Sequence, residues 1–354
     1  MSNTKKKDKS KLLVVILAIL VVLMAGVLGF YVFGISPTDP DNSDEVIIEI
    51  EPGTGAYQIL NQLDEAGLVK NAFCGKILVK VMPTDDIHAG TYAFSKDMNL
   101  TQIFTALNEQ DFDYMVTQKV TIVEGSTIPQ AAAALAEASG VSTDEILKLW
   151  ADESFLKDLI NDYWFITDEI LKDGILYPLE GYLYPDTYFL PEGEIDIRSA
   201  TIDMINTMEV ALDPYKEDIE QKLGFTAHQF LTFASVVEKE SLFDDDRPMI
   251  AGVFLNRLYE GMGLQSDITV LYALGESHVD VTIAETQVDS PYNTYKNAGL
   301  PIGPVCAVPA RTMEDCINYE PSDYFFFFAT EDGDVLYTKT YKEHQKVVEE
   351  NKWY

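Results

Sequence analysis

Residues Leu12 to Ile35 carry no charged side chain and are almost wholly apolar. A run of that length matches the hydrocarbon thickness of a bilayer when wound as one helix. Only a helix satisfies the backbone of such a segment in lipid, so the run constrains everything that follows it. Lys5, Lys6, Lys7, Lys9 and Lys11 stand just before it. A basic flank on that side predicts a cytoplasmic N-terminus and an extracytoplasmic remainder. A cleaved signal peptide is the rival reading. The run exceeds a typical signal core, and no clear small-x-small cleavage site follows it, which favours a retained anchor.

Of 25 basic and 58 acidic residues, five bases and one acid (Asp8) lie in that flank, leaving 20 against 57 outside and a net charge of −37 there. Such a surface repels phosphate backbones, so a nucleic-acid partner is excluded as an expectation. Cys74, Cys306 and Cys316 are too few for a disulfide scaffold. Cys306 and Cys316 are able to pair, but spacing does not decide it. The histidines are scattered and no metal-ligand spacing or phosphate loop occurs, so neither metal nor cofactor is expected.

The polar stretch Ser36 to Asp44 reads as a linker. From Glu45 a strand (Val46 to Ile50), a Pro52-Gly53-Thr54 turn and a helix (Ala56 to Ala66) follow. The same design recurs 72 positions later: Ile48 and Ile50 match Val120 and Ile122, Gly53-Thr54 matches Gly125-Ser126, and Leu63 matches Leu135. His88 to Phe94 and the helix Asn99 to Asn108 supply a partner for the first unit. A small βαβ-type module behind an anchor resembles LysM-like glycan-binding units, while a plain spacer role explains it equally well. Thr143 to Leu159 has helical spacing. Glu180-Gly-Tyr-Leu-Tyr-Pro-Asp-Thr-Tyr188 is an aromatic loop. Tyr182, Tyr184 and Tyr188 either form a sugar-stacking wall or cap a core edge. Tyr324 to Thr330 and Val335 to Thr340 predict a hairpin, and Tyr341 to Trp353 a final helix.

The chemistry concentrates at Phe233-Ala-Ser-Val-Val-Glu-Lys-Glu-Ser241. At 100° per residue, Phe233, Val236 and Val237 fall within about 60° of Glu240, and Glu238 falls about 160° away. Glu240 thus shares the apolar face and Glu238 points off it; the plain alternative is a solvated helix end with two ordinary glutamates. A carboxyl among apolar neighbours keeps its proton to higher pH, as a general acid near neutrality requires.

The order of EGYLYPDTY, VEKES, AGVFLNRL, GMGLQSD, SPYNTY and GLPIGP closely resembles the endolytic murein transglycosylases of the YceG-like (MltG) family. The resemblance covers nearly the whole chain. It implies an α+β protein: cytoplasmic tail 1–11, transmembrane helix 12–35, linker 36–44, LysM-like module 45–116, and catalytic domain 117–354. Within that domain 117–170 is the second strand–turn–helix unit and 171–354 the catalytic core. It further implies cleavage of the MurNAc–GlcNAc bond of nascent peptidoglycan, leaving 1,6-anhydro-MurNAc ends and terminating strand growth. Work beside peptidoglycan synthases and the elongation machinery at the bacterial plasma membrane is implied with it. The acid before Ser/Thr in the EKE[ST] motif is Glu240, which the helical wheel selects as well. Ser241, Gln265, Tyr292, Asn293 and Tyr295 are implied in the cleft, though each has a structural alternative as a loop residue. Asn256 and Arg257 are expected on a neighbouring helix, with Arg257 a candidate partner for Glu238. Asp267 reads as a helix N-cap and Asp244 to Asp246 as a solvated loop. A hydrolytic muramidase, or a non-catalytic wall-binding scaffold, are the rival functions.

Overall fold

The structure, a computed structural model, describes residues 2–84, 87–111, 113–191, 195–241, 244–278 and 281–351; the side chain of Asp244 and the expected helix end at Trp353 lie outside them. The architecture is mixed α and β. The chain divides into two compact units, Met1–Gln118 with Phe189–Glu194, and Lys119–Tyr188 with Ile195–Tyr354.

In the first unit α1 (Ser2–Ile35) includes a 20-residue stretch, Ile16–Ile35, long and apolar enough to cross a membrane. β1 (Glu45–Ile50) then pairs antiparallel with β2 (Gly90–Ser95), setting Ile48 opposite Tyr92 and Val46 opposite Phe94. Between the strands lie α2 (Ala56–Glu65) and α3 (Ala72–Val81), and α4 (Leu100–Glu109) follows. The βαβ-type expectation is therefore corrected to strand–helix–helix–strand. The run Ala72 to Val81 becomes a helix because Asn71 caps it, its side chain accepting from the N–H groups of Phe73 and Cys74 at 3.1 Å each. The alternation of β1 drives its packing. Ile48 and Ile50 turn inward onto Ile59, Leu63, Phe94 and Phe104, while Glu45, Ile47 and Glu49 face out.

β3 (Thr117–Thr121) runs across the boundary at Gln118, and the second unit continues with α5 (Ile128–Ser139), α6 (Thr143–Trp150) and α7 (Glu153–Asp162). The single helix expected over 143–159 is broken at Ala151. Asp152 starts a new one there by accepting from the Phe155 N–H at 2.9 Å. β4 (Thr187–Pro191) pairs with β3, and α8 (Ile197–Leu212) and the short α9 (Lys216–Asp218) lead to α10 (Ala227–Glu240). Around α10 lie α11 (Arg247–Tyr259), α12 (Asp267–Leu274) and α13 (Ala310–Ile317). The hairpin β5 (Phe326–Ala329)–β6 (Val335–Thr338) and α14 (Tyr341–Asn351) close the chain.

α10 starts on a capping box: Thr226 and Gln229 each satisfy the other's backbone N–H, at 2.9 and 3.2 Å. Phe230, Leu231, Phe233, Ala234, Val236 and Val237 are all fully buried. With His228, Thr232 and Ser235 buried among them, α10 is covered on every side from Phe230 to Val237, and it carries what stands at its end toward the interior.

Candidate active site

Glu240 is the last residue of α10, and Ser241 ends the helix by donating both its N–H (3.1 Å) and its Oγ (2.8 Å) to the Val237 carbonyl. Ser241 Oγ is thus engaged with the backbone. Glu240 Oε1 accepts from Ser266 Oγ at 2.5 Å, and Ser266 is the only side-chain donor to it among the described residues. Burial pushes the Glu240 carboxyl up to about 7; the Ser266 hydrogen bond works against that, the Asp267 charge adds to it and the Arg257 charge opposes it. A carboxyl poised there can release and regain a proton at neutral pH.

Ser266 is held by its own network. Its N–H donates to Thr294 Oγ1 (3.0 Å), which contacts Thr269 Oγ1 (2.9 Å), and that hydroxyl donates back to the Ser266 carbonyl (2.7 Å). All three residues are buried. The Gly261-Met-Gly263 turn lies against the Tyr292-Asn-Thr-Tyr295 loop so closely that a Cβ at Gly263 would stand 2.7 Å from the Thr294 carbonyl oxygen. Gln265 then takes a left-handed backbone, φ +49°, with its side chain exposed. That conformation costs a non-glycine residue about 1 kcal/mol, strain of the kind that collects at working sites.

Ser266, not Asp267, is the N-cap residue of α12; Asp267 is the first helical residue, and its Oδ1 accepts from Tyr295 OH at 2.6 Å. The expectation fails because the Ser266 hydroxyl, the natural capping group, is drawn instead to Glu240. Tyr295 is 38% exposed. Asn293 is fully buried and spends its amide on loop geometry, donating to the Thr286 and Val288 carbonyls (3.0 and 2.8 Å) and accepting from the Tyr295 N–H (3.0 Å). Tyr292 is buried, its ring tilted on that of Tyr272 at 4.9 Å, its hydroxyl accepting from the Leu176 N–H at 3.4 Å. The structure thus joins Glu240 directly to Ser266, with Asp267 and Arg257 close enough to bias its charge. Asn293 and Tyr292 lie in the loop wall behind.

Glu238 is not solvated. It meets Arg247 at 3.4 Å and accepts from Thr312 Oγ1, with only 9% of its side chain exposed. α10 is covered on that face too, by α11 and α13, so the wheel's polar side is also interior. Arg257 pairs elsewhere: its Nε donates to the Phe325 carbonyl at 2.6 Å and its Nη1 to the Leu264 carbonyl. Asn256 donates to the Ser322 and Tyr324 carbonyls at 2.8 and 2.9 Å. Both tie α11 to the loop before the hairpin.

The aromatic loop has no free sugar-stacking face at Tyr182 or Tyr188, which are buried. Tyr188 OH donates to the Tyr184 carbonyl (2.7 Å), and Tyr184 OH accepts from the Ala310 N–H (3.3 Å). Tyr182 OH lies 2.7 Å from His228 Nδ1, whose other ring nitrogen is 2.8 Å from the Ile302 carbonyl. A carbonyl accepts only, so Nε2 carries the proton and Nδ1 accepts from the tyrosine. Burial depresses the His228 pKa, which keeps that tautomer neutral.

The same loop holds a residue that sequence reasoning passed over. Glu180 is 2% exposed; both its oxygens accept from the Ile128 N–H (3.1 and 3.0 Å), and Oε2 accepts from Tyr272 OH (3.0 Å). Burial raises it to about 8, against those hydrogen bonds. The signal available was an acid before Gly181. That position requires glycine, because its φ is +77° and a Cβ there would stand 2.5 Å from the Pro304 ring.

At the surface His278 Nε2 bridges Glu276 (3.0 Å) and Glu285 (3.3 Å), the one grouping among the described residues with metal-ligand proximity. A protonated imidazole between two carboxylates gives the same geometry. Cys74, Cys306 and Cys316 are free and buried.

The sequence profile of the YceG-like family matches residues 48–350. The chain is 33% identical over 325 residues to an endolytic murein transglycosylase of Bacillus subtilis, covering 91% of this chain and 89% of that protein. It is 34% identical over 331 residues to one of Streptococcus pneumoniae, covering 89% of this chain but only 60% of that protein's length. A crystal structure of a YceG-like protein from Listeria monocytogenes superposes with a TM-score of 0.62 at 36% identity, covering 86% of this chain and 99% of the other.

Proposed function

The chain belongs to the YceG-like family, and on that premise we propose that it is a lytic transglycosylase cutting the MurNAc–GlcNAc bond within peptidoglycan strands to leave 1,6-anhydro-MurNAc ends. The observation that carries this reading is one half-buried carboxyl, Glu240, held by Ser266 and poised near neutrality. Protonated Glu240 donates to the glycosidic oxygen as the bond to C1 breaks. The carboxylate so formed accepts the proton of the MurNAc C6 hydroxyl as that oxygen bonds to C1. One group gives a proton and regains it, the nucleophile is part of the substrate, and no water enters. A hydrolase of the ordinary kind needs a second carboxylate as base or nucleophile. Asp267 is the neighbouring acid, and its carboxylate is occupied by Tyr295.

The cellular side of the proposal rests on α1. With lysines ahead of its apolar stretch, α1 anchors the enzyme as a single span with its N-terminus in the cytoplasm. The site then works outside, on nascent strands, terminating elongation alongside the peptidoglycan synthases. The strand–helix–helix–strand unit serves as a LysM-like glycan module.

Purified strands incubated with the full chain in detergent, as wild type and Glu240→Gln, test this by mass spectrometry of the products. Anhydro ends from the wild type and none from the variant are expected. Reducing ends would make the protein a muramidase and Asp267 its second acid. No cleavage, with membrane-linked strands also tried, would leave a wall-binding scaffold.

A further inference from the structure

Helix α3 presents an apolar stripe to solvent in the first unit: Phe73, Ile77 and Val81, spaced i, i+4, i+8, are 66%, 38% and 69% exposed. Its opposite face, Gly75, Leu78 and Val79, is buried in the core of that unit. Lys76 and Lys80 line one edge of the stripe and are exposed. Between Ala66 and Thr84 there is no acidic residue and three lysines, in a chain of net charge −33. A helix with a bare apolar stripe edged by lysines has the composition of one that lies in a lipid interface.

The placement of α3 supplies the independent argument. It packs along the end of α1: Cys74 Sγ lies 3.8 Å from the Phe30 carbonyl, and its side chain fills the space beside Gly34. Phe30 to Ile35 spans about 7.5 Å of helix, so α3 sits level with the last turns of the apolar span. On a helical wheel Cys74, which faces α1, is about 20° from Val81 and about 60° from Ile77. The stripe therefore adjoins the anchor, and the lysines lie beyond it. Lys70 behaves as an interfacial lysine does, its ammonium 4.5 Å from the centre of the Phe33 ring while it donates to the Pro37 carbonyl at 3.0 Å.

We propose that α3 is a second membrane contact, lying in the outer leaflet beside α1 with Phe73, Ile77 and Val81 among the acyl chains and Lys76 and Lys80 on anionic phospholipid headgroups. This rests on the anchoring reading above. It would hold the first unit against the bilayer instead of letting it swing on the linker.

The test uses the full chain in phosphatidylcholine/phosphatidylglycerol vesicles containing lipids brominated either near the headgroup or deep in the chain. Two variants, Ile77→Trp and Leu20→Trp, are compared with the wild-type tryptophan background. Both positions are exposed, and an unchanged melting midpoint confirms folding. The indole at position 77 is expected to be quenched by the shallow bromines and that at position 20 by the deep ones. Adding Lys76→Gln and Lys80→Gln is expected to lower the seated population about fivefold for each charge lost. Quenching at position 20 with none at 77 overturns the proposal while leaving the anchor intact, and self-association in the same vesicles would then assign the stripe to a second copy. No quenching at either position removes the anchoring reading itself.

Discussion

The two units bury different things. In the first, the buried residues are apolar throughout: Ile48, Ile59, Leu63, Tyr92, Phe94 and Phe104 fill it. All twelve buried polar or charged residues among the described ones lie in the second, from Glu180 to Thr312. Burying a polar group costs free energy unless partners satisfy it, and the cost is largest for charges. The second unit meets that cost with networks: Glu180 on Ile128 and Tyr272, Glu238 on Arg247 and Thr312, Glu240 on Ser266. An apolar core serves stability alone. A core threaded with satisfied acids tunes where protons reside, and chemistry draws on that.

Four substitutions sharpen the contrast. Glu240→Gln should lower turnover by about 10³-fold or more while leaving the melting midpoint unchanged or raised, because it removes an ionisable group from a desolvated place. Turnover assays and calorimetry on one preparation check both halves. On the proposed mechanism the wild type needs the acid form, so kcat/KM should fall as pH rises through about 7.

Phe104→Ala in the first unit should cost about 3–5 kcal/mol of that unit's stability. The loss should be independent of pH, since no ionisable group is touched. Denaturant melts at pH 5 and pH 8.5 with equal losses would agree, and a pH-dependent loss would break the contrast.

Glu180→Gln should act the opposite way. The folded state holds the Glu180 proton up to about 8, whereas the unfolded chain releases it near the ordinary 4.5. Stability from this group is therefore fully present below 4.5 and drains as pH climbs to about 8. The neutral isostere should flatten that decline, by on the order of a few kcal/mol across the window. Melts from pH 4 to 9 decide it, and parallel curves for variant and wild type would refute the buried-acid reading.

Ser266→Ala should have the smallest effect. Losing the donor removes a hydrogen bond that favours the Glu240 carboxylate, so the basic limb of the pH–rate profile should move to higher pH, with turnover down about tenfold. An unmoved limb would show that Ser266 only shapes the loop.

Much of the site was readable as pattern. The period of 3.6 set Glu240 among Phe233, Val236 and Val237 without any fold. The same wheel misled for Glu238, because a wheel ranks faces of one helix and does not know that α11 and α13 cover the second. Arg257 was a candidate partner for Glu238, yet its guanidinium finds the carbonyls of Leu264 and Phe325, and Arg247 meets Glu238 instead. Ser266 stood one residue from Asp267, but no local rule says that a capping serine will turn away from its helix to an acid 26 positions earlier.

The sequence by itself determined the apolar span, the alternation that buries Ile48 and Ile50, the helix ending in Glu240 and the turns around it, because these depend on period, caps and local φ preferences. Tertiary structure decided that Glu180 and Glu238 are desolvated as well, and which partner each acid obtains. A carboxyl's proton affinity depends on everything that surrounds it in space, and for Glu180 and Glu240 those surroundings come from segments dozens of residues away.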